Sequence, residues 1–282
     1  MRTVLITGAS SGIGEACALR LDGHGWRVFG TVRNQQDADA LRAKTGGRAT
    51  PMIMDLTDPP SITAAASSVT EAVGAEGLAG LINNAGIAVG GPIELLPIDD
   101  LRHQLEVNLF GQVVLTQALI PTLRKAHGRM VFISSIAGRV AFPYQSPYSI
   151  SKFALEALAE ALRVELRPWQ MHTAIIEPGS IDTPIWRKGQ QQARTLLAGL
   201  NEPLPDAYWR PMKGVGGITR RAIKMGVPPD RVARAVEHAL TARWPRSRYL
   251  VGWDARLLVM LEALPDPLRD WLIRMVLAYY AR

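Results

Sequence analysis

Short runs rich in β-branched residues and leucine recur along the first two thirds of the chain, at Thr3 to Thr7, Arg27 to Val32, Pro51 to Met54, Leu78 to Ile82, Arg129 to Ser134 and His172 to Ile176. Their apolar positions run on rather than strictly alternating, the pattern of strands covered on both faces. Between them lie alanine- and leucine-rich stretches such as Ala64 to Val73 and Phe153 to Leu166, whose apolar residues follow helical spacing. Strand and helix in regular alternation predict right-handed crossovers and an α/β fold, a doubly wound parallel sheet with helices on both faces.

The pattern loosens after Pro178. The stretch 183–229 is rich in Gly, Pro and Arg and carries Trp186, Tyr208, Trp209 and Met212. It reads as a substrate loop or lid inserted into one domain, the rival being ordinary helices packed on an edge of the sheet. From Arg243 to the end, Leu257, Leu258, Leu261 and Leu264, then Leu268, Trp271, Leu272, Met275, Val276 and Tyr279, fall at helical spacing among seven arginines and four carboxylates. Residues 1–252 are thus expected to form one α/β domain that carries this insertion. Residues 253–282 are expected to form its amphipathic helical extension. That extension packs on its own core, borders a substrate entrance or dimer contact, or lies on an anionic membrane surface.

Length and composition narrow the class. The 282 residues are 48% hydrophobic, enough for a sizeable core. A single cysteine, Cys17, supports neither a disulfide framework nor a cysteine-based zinc site. Strand-like Val4 to Ile6 follows Met1 almost at once, and the expectation is a cytoplasmic protein. The net charge of +7 comes from scattered basic residues without a nucleic-acid module, so a basic surface or an anionic cofactor is its expected source, and neither a nucleic acid nor a metal is expected.

The first strand runs into Thr7-Gly8-Ala9-Ser10-Ser11-Gly12-Ile13-Gly14, and Glu15 to Leu21 reads as a helix. Glycines at such a turn let a pyrophosphate approach the backbone, and the helix start offers it free N–H groups and a positive dipole end. Nineteen residues beyond Gly14, where an NAD site places a carboxylate on the ribose 2′-hydroxyl, the chain has Arg33 in Thr31-Val32-Arg33-Asn34. A guidanine there suits a 2′-phosphate, so NADP(H) is favoured over NAD(H). Further on, Tyr148 and Lys152 stand four apart at the start of a helical run, with Ser134-Ser135 upstream. Residues so spaced share a helix face, and an ammonium beside a phenol is expected to lower its pKa from about 10, fitting the tyrosine for proton transfer.

With Asn83-Asn84-Ala85-Gly86 after the fourth strand and Pro178-Gly179 after the sixth, the chain resembles the short-chain dehydrogenase/reductase family from about Thr3 to Thr183, and its layout resembles the hydroxysteroid and retinol dehydrogenase branch. The resemblance implies a Rossmann fold binding NAD(P)(H) and a tetrad of Asn108, Ser135, Tyr148 and Lys152. Tyr148 would exchange the proton, Ser135 would bind the reacting oxygen, Lys152 would also hold the nicotinamide ribose, and Asn108, through a local helix distortion, would hold a relay water. The resemblance assigns Asp55, with Leu56, to the adenine edge and Asn84, Ala85 and Gly86 to the adenosine side. It assigns Pro178, Gly179, Ile181 and Thr183 to the loop that orients the carboxamide. Phosphate selectivity would rest chiefly on Arg33, because Ser11 stands where some NADP-preferring members carry a basic residue.

The activity implied is interconversion of a secondary alcohol and a ketone or aldehyde on a lipophilic steroid-, retinoid- or lipid-like molecule. The alternatives are a non-catalytic NADP(H) sensor and an NAD-dependent dehydrogenase of a smaller alcohol. Apolar residues on more than one face of Leu101 to Leu123 and Phe153 to Leu166 point to a homodimer.

Overall fold

The computed structural model describes residues 1–199 and 205–281. Its elements run β1 (Thr3–Ile6), α1 (Gly12–Gly23), β2 (Arg27–Val32), α2 (Gln35–Lys44), β3 (Thr50–Ile53), α3 (Pro59–Val73), β4 (Gly80–Asn83), α4 (Ile98–Leu105), α5 (Gly111–Lys125), β5 (Arg129–Ile133), α6 (Ser146–Glu165) and β6 (His172–Pro178). Then follow α7 (Pro184–Ala198), α8 (Asp206–Met225), α9 (Pro229–Thr241), β7 (Arg248–Val251), α10 (Trp253–Leu258) and α11 (Asp266–Tyr280). Every strand pairing is parallel, in the order β3-β2-β1-β4-β5-β6-β7. The order reverses between β1 and β4, which opens a crevice at the carboxyl ends of those strands.

Alternate strand positions serve two cores. Val4 and Ile6 of β1 face one cluster with Cys17 and Leu21 of α1 and Val232, Val236 and Leu240 of α9. Leu5, between them, joins Val69 of α3, Leu115 and Leu119 of α5 and Leu155 of α6 on the other face. The period-two alternation of a strand thus feeds both layers, as expected when neither face meets water. Removing one such side chain, as in Leu115→Ala, carries a cost of about 2–5 kcal/mol.

Two stretches differ from the sequence reading. The sequence reading named six strands and assigned no element to 243–252, but Arg248–Val251 forms a seventh, the edge strand β7 beside β6. A four-residue strand is too short to declare a period against the longer helical pattern that follows. The insertion after Thr183, expected as a loop, is built of helices α7 and α8 over its described part. Its remainder, 200–204, lies outside the described residues. Helix α11 packs along α8, where a Cβ on Gly214 would come within 2.2 Å of the Leu277 carbonyl oxygen, so only glycine permits that approach. Of the readings for the C-terminal helices, packing on the chain itself therefore holds for the inner face of α11. Its outer face leaves Leu268, Trp271, Met275 and Tyr279 exposed. No described helix is long and apolar enough to cross a membrane.

Candidate active site

The glycine turn closes the crevice at the end of β1. A Cβ on Gly14 would lie 2.2 Å from the Gly8 carbonyl oxygen and 2.5 Å from Asn84 Nδ2, so the turn folds onto the start of α1 only with glycine there. Thr7 fastens it to β4: its Oγ1 accepts from the amides of Asn84 at 2.8 Å and Ala85 at 2.9 Å. Asn84 Nδ2 in turn donates to the carbonyls of Thr7 at 2.8 Å and Gly8 at 3.1 Å. The start of α1 is left facing the crevice with free N–H groups and its positive dipole end.

A cleft of about 410 Å³ runs along this edge. Gly8, Ser10, Ser11, Gly12, Ile13, Arg33, Asp55, Leu56, Asn84, Ala85, Gly86, Ser135, Tyr148, Lys152, Pro178, Gly179, Ile181 and Thr183 all line it. Gly14 lies beneath the turn and Asn108 behind the wall, so neither is on the lining. Arg33 is exposed at one end, and the Asp55 carboxyl nearby is held below its usual range chiefly by the Thr57 amide that donates to it. The glycine cradle and the helix start fit the pyrophosphate of a dinucleotide.

At the opposite end, α6 carries Tyr148 and Lys152 into the cleft. Both are buried, and Lys152 Nζ lies 5.7 Å from the phenol ring centroid while donating to the Ile133 carbonyl at 2.8 Å. The phenol does not show the expected lowering. Burial pushes Tyr148 up to about 12, with only the Ser135 hydroxyl opposing. Burial likewise depresses Lys152 to about 8, against the attraction of Glu156 one turn further along. The reason is distance and desolvation together: the ammonium is turned to a backbone carbonyl, and both groups lose water.

Asn108 occupies a π-helical turn, Glu106–Phe110, that joins α4 to α5, the distortion the resemblance implied. Its Oδ1 accepts from the Ile87 amide at 2.8 Å and its Nδ2 donates to the Ile87 carbonyl at 3.0 Å and to Ser151 Oγ at 3.0 Å. Two residues that sequence reasoning missed do the same on either side. Gln104 bonds the Val89 amide and the Ile87 carbonyl at 2.7 Å each, and Gln112 donates to the Ala85 carbonyl at 2.7 Å. The signal was there: three amides at steps of four on one helix face, amid apolar neighbours. They hold the backbone of 85–89 that forms the cleft floor.

The loop after β6 is anchored from the C-terminal side. Gly179 donates its amide to the Val251 carbonyl at 2.9 Å, the Ser180 amide donates to Asp254 Oδ2 at 2.6 Å, and Ile181 bridges to Val227. Asp254 is a third residue that holds the site's backbone and that the sequence did not mark. Above the loop, Trp186 of α7 meets Tyr148 edge-on, the ring centroids 6.4 Å apart. A second cavity of about 530 Å³ opens beyond them, between Tyr144, α7, α8 and the end of α11.

The parallel seven-stranded sheet, the switch-point cleft and the Ser135, Tyr148 and Lys152 cluster define a dinucleotide-dependent oxidoreductase. The chain matches the family model described as "short chain dehydrogenase" over residues 2–194 and belongs to that family. It is 38% identical to retinol dehydrogenase 16 of Mus musculus, covering 96% of this chain and 87% of that one. It is equally 38% identical to the NADPH-dependent 3-dehydrocapnine reductase of Ornithobacterium rhinotracheale, covering 96% of this chain and 95% of the other. Among solved structures, a short-chain dehydrogenase from Streptomyces avermitilis superposes with a TM-score of 0.78 at 32% identity, covering 97% and 95% of the two chains. The protein is an NAD(P)-dependent oxidoreductase of the hydroxysteroid and retinol dehydrogenase-like branch, acting between alcohols and carbonyl compounds.

Proposed function

We propose that the enzyme uses NADP(H) to interconvert a secondary alcohol and a ketone or aldehyde on a lipophilic molecule, with Tyr148 as the proton-exchanging group. The observation that carries this is the position of Tyr148 and Trp186. Both line the cleft beside the glycine turn and also the second, mostly apolar cavity, so the phenol stands where the two meet.

Bound NADP(H) supplies or accepts the hydride. Tyr148 gives its proton to the carbonyl oxygen in reduction and takes one from the hydroxyl in oxidation. Ser135 lies beside the phenol and donates to the same oxygen as negative charge gathers there. Lys152 places a positive charge near that charge and offers its ammonium to the ribose hydroxyls, and Asn108 keeps the backbone of Ile87 in place behind it. Arg33, exposed at the far end without an acid at its position, selects the 2′-phosphate. Trp186 covers Tyr148 and excludes water from the junction.

The relatives support the substrate class: retinol and 17-beta-hydroxysteroid dehydrogenases carry retinoid and steroid substrates in their names, and one relative is named as NADPH-dependent. The same reading includes a homodimer through α4, α5 and α6 and contact of the outer face of α11 with an anionic membrane surface. The test follows absorbance of NADPH and NADH with retinal and with a steroid ketone, for the wild-type protein and Arg33→Asp. NADPH-dependent turnover that Arg33→Asp equalises or reverses is expected. Equal use of both cofactors by the wild type overturns the NADP assignment, and no turnover of any lipophilic carbonyl overturns the substrate class.

A further inference from the structure

The second cavity has an uneven lining. Close to Tyr148 it is walled by Trp186, and along α7 and α8 by Leu197 and Met212, but its rim carries Arg194, Lys213 and Arg220, all exposed. Among the described residues no aspartate or glutamate lines it, and none of the three cations is engaged in an ion pair. The helices set the distances. Arg194 lies two turns beyond Trp186 on α7, about 12 Å along the axis. Helix α8 ends at Gly226, where an added Cβ would sit 2.8 Å from the Asp182 amide, back at the root of α7. Lys213 is thirteen residues before that point, about 20 Å away along the helix, and Arg220 stands between. One end of the cavity is therefore the proton donor, the middle is apolar and the far rim is cationic.

We propose that the substrate is an anionic amphiphile: a long apolar chain that presents its carbonyl or hydroxyl carbon to Tyr148 and its acidic head group to Arg194, Lys213 and Arg220. This rests on the alcohol–ketone reading above and narrows it. A neutral steroid or retinoid fills the apolar part and brings no charge to the three cations. A chain bearing a carboxylate or a similar anion fills the same space and also pairs the rim. The partly solvated setting keeps each pairing modest and sensitive to salt, so the gain arises from the summed positive charge of the rim rather than from any single pair.

The test compares a mid-chain oxo-stearate with its methyl ester as substrates of the full-length enzyme with NADPH. Both place the same ketone on the same chain and differ in one charge. The wild type is expected to favour the acid by about tenfold in kcat/KM, equivalent to about 1.4 kcal/mol, with the difference in KM rather than kcat. The preference should narrow as salt is raised and collapse in the triple variant Arg194→Gln, Lys213→Gln, Arg220→Gln, whose substitutions are all at exposed positions. A wild type that treats acid and ester alike, or a preference that survives the triple variant, overturns the proposal. Calorimetric binding of laurate and of dodecanol to the NADPH-loaded protein reads the head-group site without turnover. Laurate should bind more tightly, and equal affinities again overturn the proposal. If laurate binding depends on the three cations while no carbonyl compound is reduced, the head-group site stands and the catalytic reading falls. If neutral ketones are reduced while laurate gains nothing, the catalytic reading stands and this inference falls.

Discussion

Tyr148 and Lys152 were visible as a pair because a helix places residues four apart on one face, and that rule needs no tertiary information. Their protonation was not visible, because it depends on burial that the spacing does not encode. A phenol raised to about 12 stays protonated at neutral pH, which suits reduction, where a proton is given. Oxidation needs the phenolate, whose fraction climbs tenfold per pH unit below the pKa. The kcat/KM for alcohol oxidation should therefore rise steadily with pH. That for ketone reduction should hold level until the pH passes the value of about 8 at which Lys152 loses its proton, and fall above it. Opposite slopes in the two directions check this; parallel profiles refute it. Tyr148→Phe keeps the ring and deletes the proton, so kcat should fall by about 10²–10⁴-fold while NADPH affinity changes no more than a few-fold. A variant retaining a tenth of the activity removes the tyrosine from the role proposed for it.

At the scale of elements, long segments with a clear period were legible and short ones were not. Six strands and the main helices follow from local patterning, whereas β7 offers only Arg248, Tyr249, Leu250 and Val251, and Arg248 masks its apolar character. That arginine is there for a tertiary reason. It pairs with Glu156 and Glu160 of α6 and with Glu177 of β6, and Arg139 reaches Glu177 at 3.1 Å and also pairs with Glu262 beyond α10. The cluster ties the edge strand and the C-terminal segment to the helix that carries Tyr148. Glu156 and Glu177 are buried, so Arg248→Met leaves them with too little positive charge and should cost about 3–5 kcal/mol. Burial already raises Glu156, and loss of its partner raises it further. A carboxyl whose folded pKa exceeds its unfolded one binds more protons when folded, so stability falls as pH rises between the two values. The deficit should thus be largest at neutral pH and shrink in mild acid. Urea unfolding of both proteins at the two pH values measures it, and a deficit independent of pH refutes the account.

At the scale of the whole molecule, the sheet buries its own apolar faces, yet apolar side chains remain on the surface, and two groups of them bear on assembly. Ile98, Phe110, Ile150, Phe153 and Val164 are exposed on the α4–α6 side, where a second copy of the chain would cover them. A dimer is expected by light scattering at micromolar concentration, and Val164→Arg combined with Ile98→Glu should shift it to monomer. The second place is the C-terminal extension, whose helical periodicity was plain in the sequence while its outward direction was not. The inner face of α11 is spent on α8, so Leu268, Trp271 and Met275 face outward, with exposed Arg274 on the same helix. Aromatic and aliphatic side chains beside an arginine suit the boundary of an anionic bilayer, where the rings enter the head-group region and the guanidine meets lipid charge. Co-sedimentation should therefore be stronger with vesicles containing phosphatidylserine than with phosphatidylcholine alone, and should weaken with salt. Leu268→Ser with Trp271→Ser and Met275→Ser should abolish it while NADPH affinity stays unchanged, because none of the three lines the cofactor cleft. Binding that ignores lipid charge, or that survives the triple substitution, rules out this face as the membrane contact.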